Sequence, residues 1–195
     1  GKAFGITVTN GVATVDLKLA LNYSSRGGNG VLGQGWSISG LSAISRCNKT
    51  LAQDGVPAAV TNTTSDRFCL DGQQLKLVSG TYGARGSVYA TEVESFSRIV
   101  ASGSVGAGPA SFTVTSKNGL IREYGTTTDS RVFAGSSGTV RTWALSRVRD
   151  RLSGAGNSIA LTYVNEAQSG AYTNGTYRID SIAYPMTATG QGPFY

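Results

Sequence analysis

The sequence has no histidine, one methionine, two cysteines and four prolines in 195 residues, and only 14% of its side chains are charged. Each shortage removes a class of protein. Without histidine there is no imidazole to serve as general base in a nucleophilic triad, and zinc loses its commonest nitrogen ligand. Two cysteines with no CxxC spacing would leave zinc to two thiolates and carboxylates, so no metal site and no cofactor is expected. No apolar run approaches the ~20 residues of a membrane-crossing helix. The scarcity of Glu and Lys excludes coiled coils and helical repeats.

What is abundant is small and polar. Gly (27), Ser (23) and Thr (21) make 71 residues, more than a third of the chain. Hydrophobic residues still reach 39% and sit in short regular clusters, so the chain has the means to bury a core and is not a disordered tail. At this length about 70% of the unfolded surface can be buried.

The clusters alternate with period two and break at turn residues. Val15, Leu17, Leu19 and Leu21 fall on one face of a long strand, with Thr14, Asp16 and Lys18 on the other. Asn10-Gly11, Asp71-Gly72, Asn118-Gly119 and the Gly154–Asn157 stretch are hairpin signals. Trp36–Ser39, Ala43–Cys47, Arg67–Leu70, Gln74–Val78, Val88–Glu92, Ser97–Val100, Ala110–Lys117, Leu120–Tyr124, Val140–Val148, Ser158–Val164 and Arg178–Tyr184 read as further strands. Thr91–Arg98 admits one helical turn and little else does. The expected fold is all-β, antiparallel strands in a sandwich or a curled, shell-like sheet with almost no helix, over residues 1–195 as one module.

Seventeen basic residues against eleven acidic give a net charge of +6. The basic residues are scattered except for Arg141, Arg147, Arg149 and Arg151, the last three sharing one face of a strand. No aromatics interleave with them and no nucleic-acid motif accompanies them, which argues against nucleic-acid binding. An anionic polysaccharide could meet Arg141, Arg147 and Arg149, and Trp36 or Trp143 could stack on sugar; core packing is the competing use of either tryptophan. Gly28-Asn29-Gly30-Val31-Leu32-Gly33 matches a dinucleotide fingerprint but is followed by no helix, so it reads as an irregular loop. Glu92 and Glu94 are spaced as a carboxylate pair, as surface residues often are. A lyase using Tyr as acid/base with Arg or Lys beside it is compatible with the missing histidine but cannot be localised, and no residue is assigned a catalytic role. Cys47 and Cys69 would close a loop of about 23 residues as a disulfide, constraining the unfolded chain by roughly 3 kcal/mol, or stand as two buried thiols. A bridge would pin residues 47–69 as an excursion and implies an exported protein.

One stretch is distinctive as a whole: Leu21-Asn22-Tyr23-Ser24-Ser25, Gly28-Asn29-Gly30-Val31-Leu32-Gly33-Gln34-Gly35-Trp36-Ser37-Ile38, then Leu41-Ser42-Ala43-Ile44-Ser45-Arg46. It resembles the N-terminal region of the SpvB / insecticidal toxin complex B-subunit family, departing from that pattern at Arg26-Gly27. Tyr177-Arg178-Ile179-Asp180-Ser181-Ile182-Ala183-Tyr184 looks like an RHS/YD-type strand unit. The resemblance implies a secreted or surface-exposed bacterial protein in which this region is non-catalytic β scaffold, part of a shell that encloses or presents a separate C-terminal effector. Its partner would be the remainder of that toxin-like protein, and no catalytic motif of the family falls on these residues. A start without Met and an end at Gln191-Gly192-Pro193-Phe194-Tyr195 fit a piece of something longer.

If Cys47 and Cys69 are bridged, reduction should raise the intact mass by two hydrogens. Two thiols that alkylate without reductant would contradict the bridge.

Overall fold

The computed structural model describes residues 2–9, 14–25, 29–30, 33–34, 36–92, 96–151, 158–165 and 177–183. The chain opens with β1 (Lys2–Thr9), β2 (Thr14–Tyr23), the short β3 (Asn29–Gly30) and β4 (Gly33–Gln34), and β5 (Trp36–Ser39). Then follow β6 (Ala43–Cys47), a helical turn α1 (Leu51–Asp54), β7 (Arg67–Leu70), β8 (Gln73–Gln74), β9 (Lys76–Ser79) and β10 (Val88–Ala90). The remainder comprises β11 (Phe96–Ser102), β12 (Ser111–Ser116), β13 (Ile121–Tyr124), β14 (Arg131–Phe133), β15 (Val140–Arg149), β16 (Ser158–Asn165) and β17 (Tyr177–Ala183). Every pairing between them is antiparallel.

The principal sheet runs in the order β8-β7-β6-β15-β13-β12-β11-β10-β9. Its first and last strands are separated in sequence by Leu75 alone. The two edges of the sheet therefore meet at one bent segment, and the sheet curls into a nearly closed barrel. Leu75 turns that corner buried, its N–H donating to Phe68 O at 2.8 Å. The expected continuous strand Gln74–Val78 is thus broken in two, because its halves pair with different partners: β8 with β7, β9 with β10.

Closure leaves an interior that must be filled, and aromatics from separate strands fill it. Phe68 (β7), Tyr89 (β10), Phe112 (β12) and Trp143 (β15) are all at most 1% exposed. The Phe68 ring lies 5.5 Å from Phe112 and 5.3 Å from Trp143, and Phe112 lies 5.0 Å from Trp143, all edge-on, the arrangement that ring quadrupoles favour. A small sheet of order β1-β2-β5 adds to the same core through Val15, Leu17 and Leu19. Lys18 points outward, as the alternation requires.

β15 organises the whole. Near its start it pairs with β6 and β14, and towards its end with β13 and β16, while β17 extends from β16. β14 carries no sequence signal of its own. The turns follow their chemistry. Asp71 and Gly72, at φ 47° and 84°, close the Leu70↔Gln73 hairpin with both central residues left-handed. The turn at residues 10–13 and the Gly154–Asn157 signal lie outside the described residues. The helical turn expected at Thr91–Arg98 is not what forms at its C-terminal end, since strand begins at Phe96 and pairs with Ser116 of β12.

Gly125 shows how tightly the barrel is packed. It sits at φ 68°, and a Cβ there would run into the side chain of Trp143. Gly125→Ala is expected to destabilise the fold by about 3 kcal/mol, from the left-handed backbone and from overpacking. At this chain length that lowers Tm by roughly 6–12 °C. An unchanged Tm in a thermal melt would show that the Trp143 ring has room to move.

Candidate functional site

The most fully matched buried charges are Arg46 and Asp66. Strand alternation puts Arg46 on the same inward face of β6 as Ile44, and both are buried. Its guanidinium donates to Val140 O at 2.8 Å, Thr63 O at 2.7 Å and Ala107 O at 3.0 Å. It also pairs with Asp66 Oδ2 at 3.1 Å, and neither side chain is more than 2% exposed. It lies over the rings of Phe68 and Trp143 at 5.5 and 5.8 Å, so its free faces meet aromatic π-clouds. Gly108 allows the 103–110 loop to lie against it, since a Cβ there would come within 2.7 Å of the guanidinium.

Asp66 is equally well matched. Its Oδ1 accepts from Thr61 N at 2.8 Å and Thr61 Oγ1 at 2.9 Å, and its Oδ2 from Thr63 N at 3.2 Å. Burial pushes this carboxyl up, but the Thr61 N–H and O–H and the Arg46 guanidinium outweigh it and hold it below the usual carboxylate range. A second tie repeats the logic. Asp54 on α1 accepts from Arg67 Nε at 2.8 Å and from Gln74 Nε2, and Arg67 lies 4.4 Å over Tyr82. Burial raises the Asp54 carboxyl too; hydrogen bonds from Gln74 and Thr50, then Arg67, bring it below its ordinary value.

The disulfide is present: Cys47 and Cys69 are bonded with Cα atoms 5.8 Å apart. Because Cys47 pairs with Arg67 and Cys69 with Ser45, the bridge crosses β6 and β7 diagonally. It closes the base of the 48–66 excursion, which Arg46–Asp66 and Asp54–Arg67 fasten from within.

The proposed glycan-binding residues are not brought together. Trp143 is fully buried and donates its indole N–H to Pro109 O at 3.1 Å, so it has no face to offer a sugar. That corrects the stacking role read for it from the sequence; it is a core residue. The Trp36 backbone belongs to β5, while its side chain lies outside the described residues. Arg147 and Arg149 do share a face, as their spacing requires, but Arg149 pairs with Glu123 at 3.1 Å and Arg147 donates to Ser158 Oγ at 3.3 Å. Arg141 lies roughly 20 Å further along β15, so the three form no single basic patch.

Acid/base chemistry fares no better. Glu92 is ion-paired with Lys76, and Glu94 lies outside the described residues. Burial pushes the phenols of Tyr82, Tyr163 and Tyr177 well up and that of Tyr124 to about 12, so none approaches the neutral value a general base requires. Three of these hydroxyls tie segments together: Tyr163 donates to Leu145 O at 2.6 Å and Tyr82 to Leu75 O at 3.0 Å, while Tyr124 shares a hydrogen bond with Ser42 Oγ at 2.8 Å. Among the described residues no cluster of three metal-ligating side chains occurs.

Comparison with known proteins settles the lineage. Residues 3–182 match the family model described as Salmonella virulence plasmid 65kDa B protein, SpvB. The chain belongs to the SpvB family. The N-terminal domain of effector protein SpvB from Salmonella typhimurium strain LT2 is similar over 91% of this chain and 61% of that one, at 20% identity and a TM-score of 0.59. A TcdB2–TccC3 complex with Cdc42 is similar over 93% of this chain at 15% identity, TM-score 0.57. The Tc holotoxin pore of Photorhabdus luminescens is similar over 98% at 16% identity, TM-score 0.55. The chain spans 9% and 10% of those last two chains. No curated protein matches in sequence.

Reasoning from sequence did not bring Arg46 and Asp66 together. The signal was there for Arg46, an arginine two residues from Ile44 in an alternating strand; nothing local marks Asp66 as its partner. Arg46→Met should cost about 3–5 kcal/mol by leaving Asp66 buried without its cation, and adding Asp66→Asn should restore part of that loss. A carboxyl held below its unfolded value of about 3.9 stabilises the fold above that pH and loses the effect as pH falls through its folded value. The urea midpoint should therefore fall below about pH 4. Asp66→Asn should flatten that fall without abolishing it, because Asp54 is shifted the same way. An unaltered acid slope would mean that Asp66 takes up its proton at the same pH in the folded and the unfolded chain.

Proposed function

We propose that this SpvB-family chain is a non-catalytic β scaffold of an exported bacterial toxin-associated protein, a module that packs against the rest of that protein and helps enclose or present its effector. The observation that carries the reading is where the reactive chemistry goes. Arg46, Asp66, Asp54 and the perturbed tyrosines are all engaged in holding strands and loops to one another. A catalytic site keeps such groups in a cleft, facing substrate; here the best-matched charged pair is sealed inside the barrel. Family membership supports the same reading, as do folds shared with stretches of much larger Tc toxin chains. The remainder of the parent protein is thus the partner, and a disulfide between Cys47 and Cys69 suits an oxidising, extracytoplasmic destination.

The test uses the longer polypeptide that this reading requires, with a protease site inserted beyond residue 183. After cleavage the two pieces should elute together in gel filtration. Fragments that separate under native conditions, or release of reducing ends from a polysaccharide panel by the isolated chain, would overturn the scaffold reading.

A further inference from the structure

A strand at the border of a sheet carries a row of backbone N–H and C=O groups that no neighbour takes up, a template for one more strand. Folded proteins blunt such borders by shortness, bulges, charge or cover. Most borders among the described residues are blunted in these ways. β8 has two residues and β5 four. β14 has three, and the Asn165 amide donates to Arg131 O at its head at 2.6 Å. β9 has four, begins with Lys76 and shifts register against β10. β17 is longer, but its ladder with β16 shifts between Thr162 and Tyr163, and it carries the exposed Arg178 and Asp180.

β1 stands apart. The order β1-β2-β5 puts it at a border, and among the described residues it pairs with β2 alone. It is eight residues long, and its ladder runs from Lys2↔Leu21 to Thr9↔Thr14 without a shift. From Ala3 to Thr9 it has no charged residue and no proline. Its register is pinned, because Phe4, Ile6 and Val8 stand opposite Leu19, Leu17 and Val15, which are buried. Gly5 lies mid-strand without a bulge, a placement found where another backbone comes close. The occupant of this border follows from chemistry and supply. Cross-strand pairs stabilise a sheet, and residues 3–9 offer no counter-charge, so an uncharged strand fits best. A segment of the same polypeptide outcompetes a second copy, since tethering gives an effective concentration in the millimolar range. The SpvB N-terminal domain continues beyond the 61% of it that this chain matches, so that relative has further chain to supply one.

We propose that the outer edge of β1 is an interaction surface that takes up one uncharged, extended strand from the remainder of the parent polypeptide, as the next strand of the β1-β2-β5 sheet. This rests on the scaffold reading and names the surface and the mode of contact: backbone hydrogen bonds along residues 2–9 rather than a side-chain pocket.

The test is residue-resolved hydrogen exchange on the longer polypeptide, intact and after cleavage beyond residue 183, with its mass followed by sedimentation. In an antiparallel ladder alternate N–H groups of β1 point to β2 and the others to the border. Both sets should be protected, each on the order of a hundredfold or more, and a segment outside residues 1–195 should show matching alternate protection. Cut pieces that stay together while only one alternate set of β1 is protected would overturn this inference and leave the scaffold reading standing. Pieces that separate would overturn both. Protection of the border set that vanishes on dilution, as a dimer falls to monomer, would make a second copy the occupant and also overturn it.

Discussion

A guanidinium sealed inside a small β-barrel is the constraint on which the rest of this structure depends. Desolvating that charge costs several kcal/mol unless partners surround it, and Arg46 finds them in three separate stretches of chain. Val140 begins β15, Thr63 and Asp66 end the disulfide-closed excursion, and Ala107 lies in the loop before β12. The excursion and the loop that holds Ala107 are thereby tied to the start of β15. The excursion in particular buries few large side chains, and Leu51 and Val56 stand exposed on it. Polar ties, with the Cys47–Cys69 bridge at its base, hold it in place where packing cannot.

The same economy runs through the titratable groups whose environment moves them. The Asp54 and Asp66 carboxyls are lowered by hydrogen bonds, and the Tyr124 and Tyr163 phenols are raised by burial, each in the direction that keeps it in one state. Groups held in one state suit a rigid frame and do not exchange protons at neutral pH. Membership of the SpvB family and a fold shared with toxin-complex chains at 20% identity or less are consistent with an architecture specified by strand alternation and turn chemistry, which many sequences satisfy.

Most of the strands were legible because each is a local statement. Trp36–Ser39, Ala43–Cys47 and Arg67–Leu70 have the bounds their alternation indicates, and Val15, Leu17 and Leu19 face inward as written. Cysteine arithmetic offered the disulfide beside two buried thiols, and the bridge is what forms. What could not be read were features set by distant partners. β14 has no pattern, since its three residues are held by β15. The break at Leu75 comes from a change of neighbour within one segment, and Trp143 faces inward because the sheet curls around it.

Alternation, turn residues and the lack of histidine therefore determined the fold class, the hairpins and the absence of a triad from the sequence alone, since each depends on spacings of a few residues. Only the tertiary structure decided that the sheet closes, that Trp143 is core, that Arg149 is taken up by Glu123, and that Arg46 meets Asp66. Those outcomes rest on contacts between segments 20 to 94 residues apart, and a buried charge or ring can be recognised as such only once the chain that surrounds it is in place.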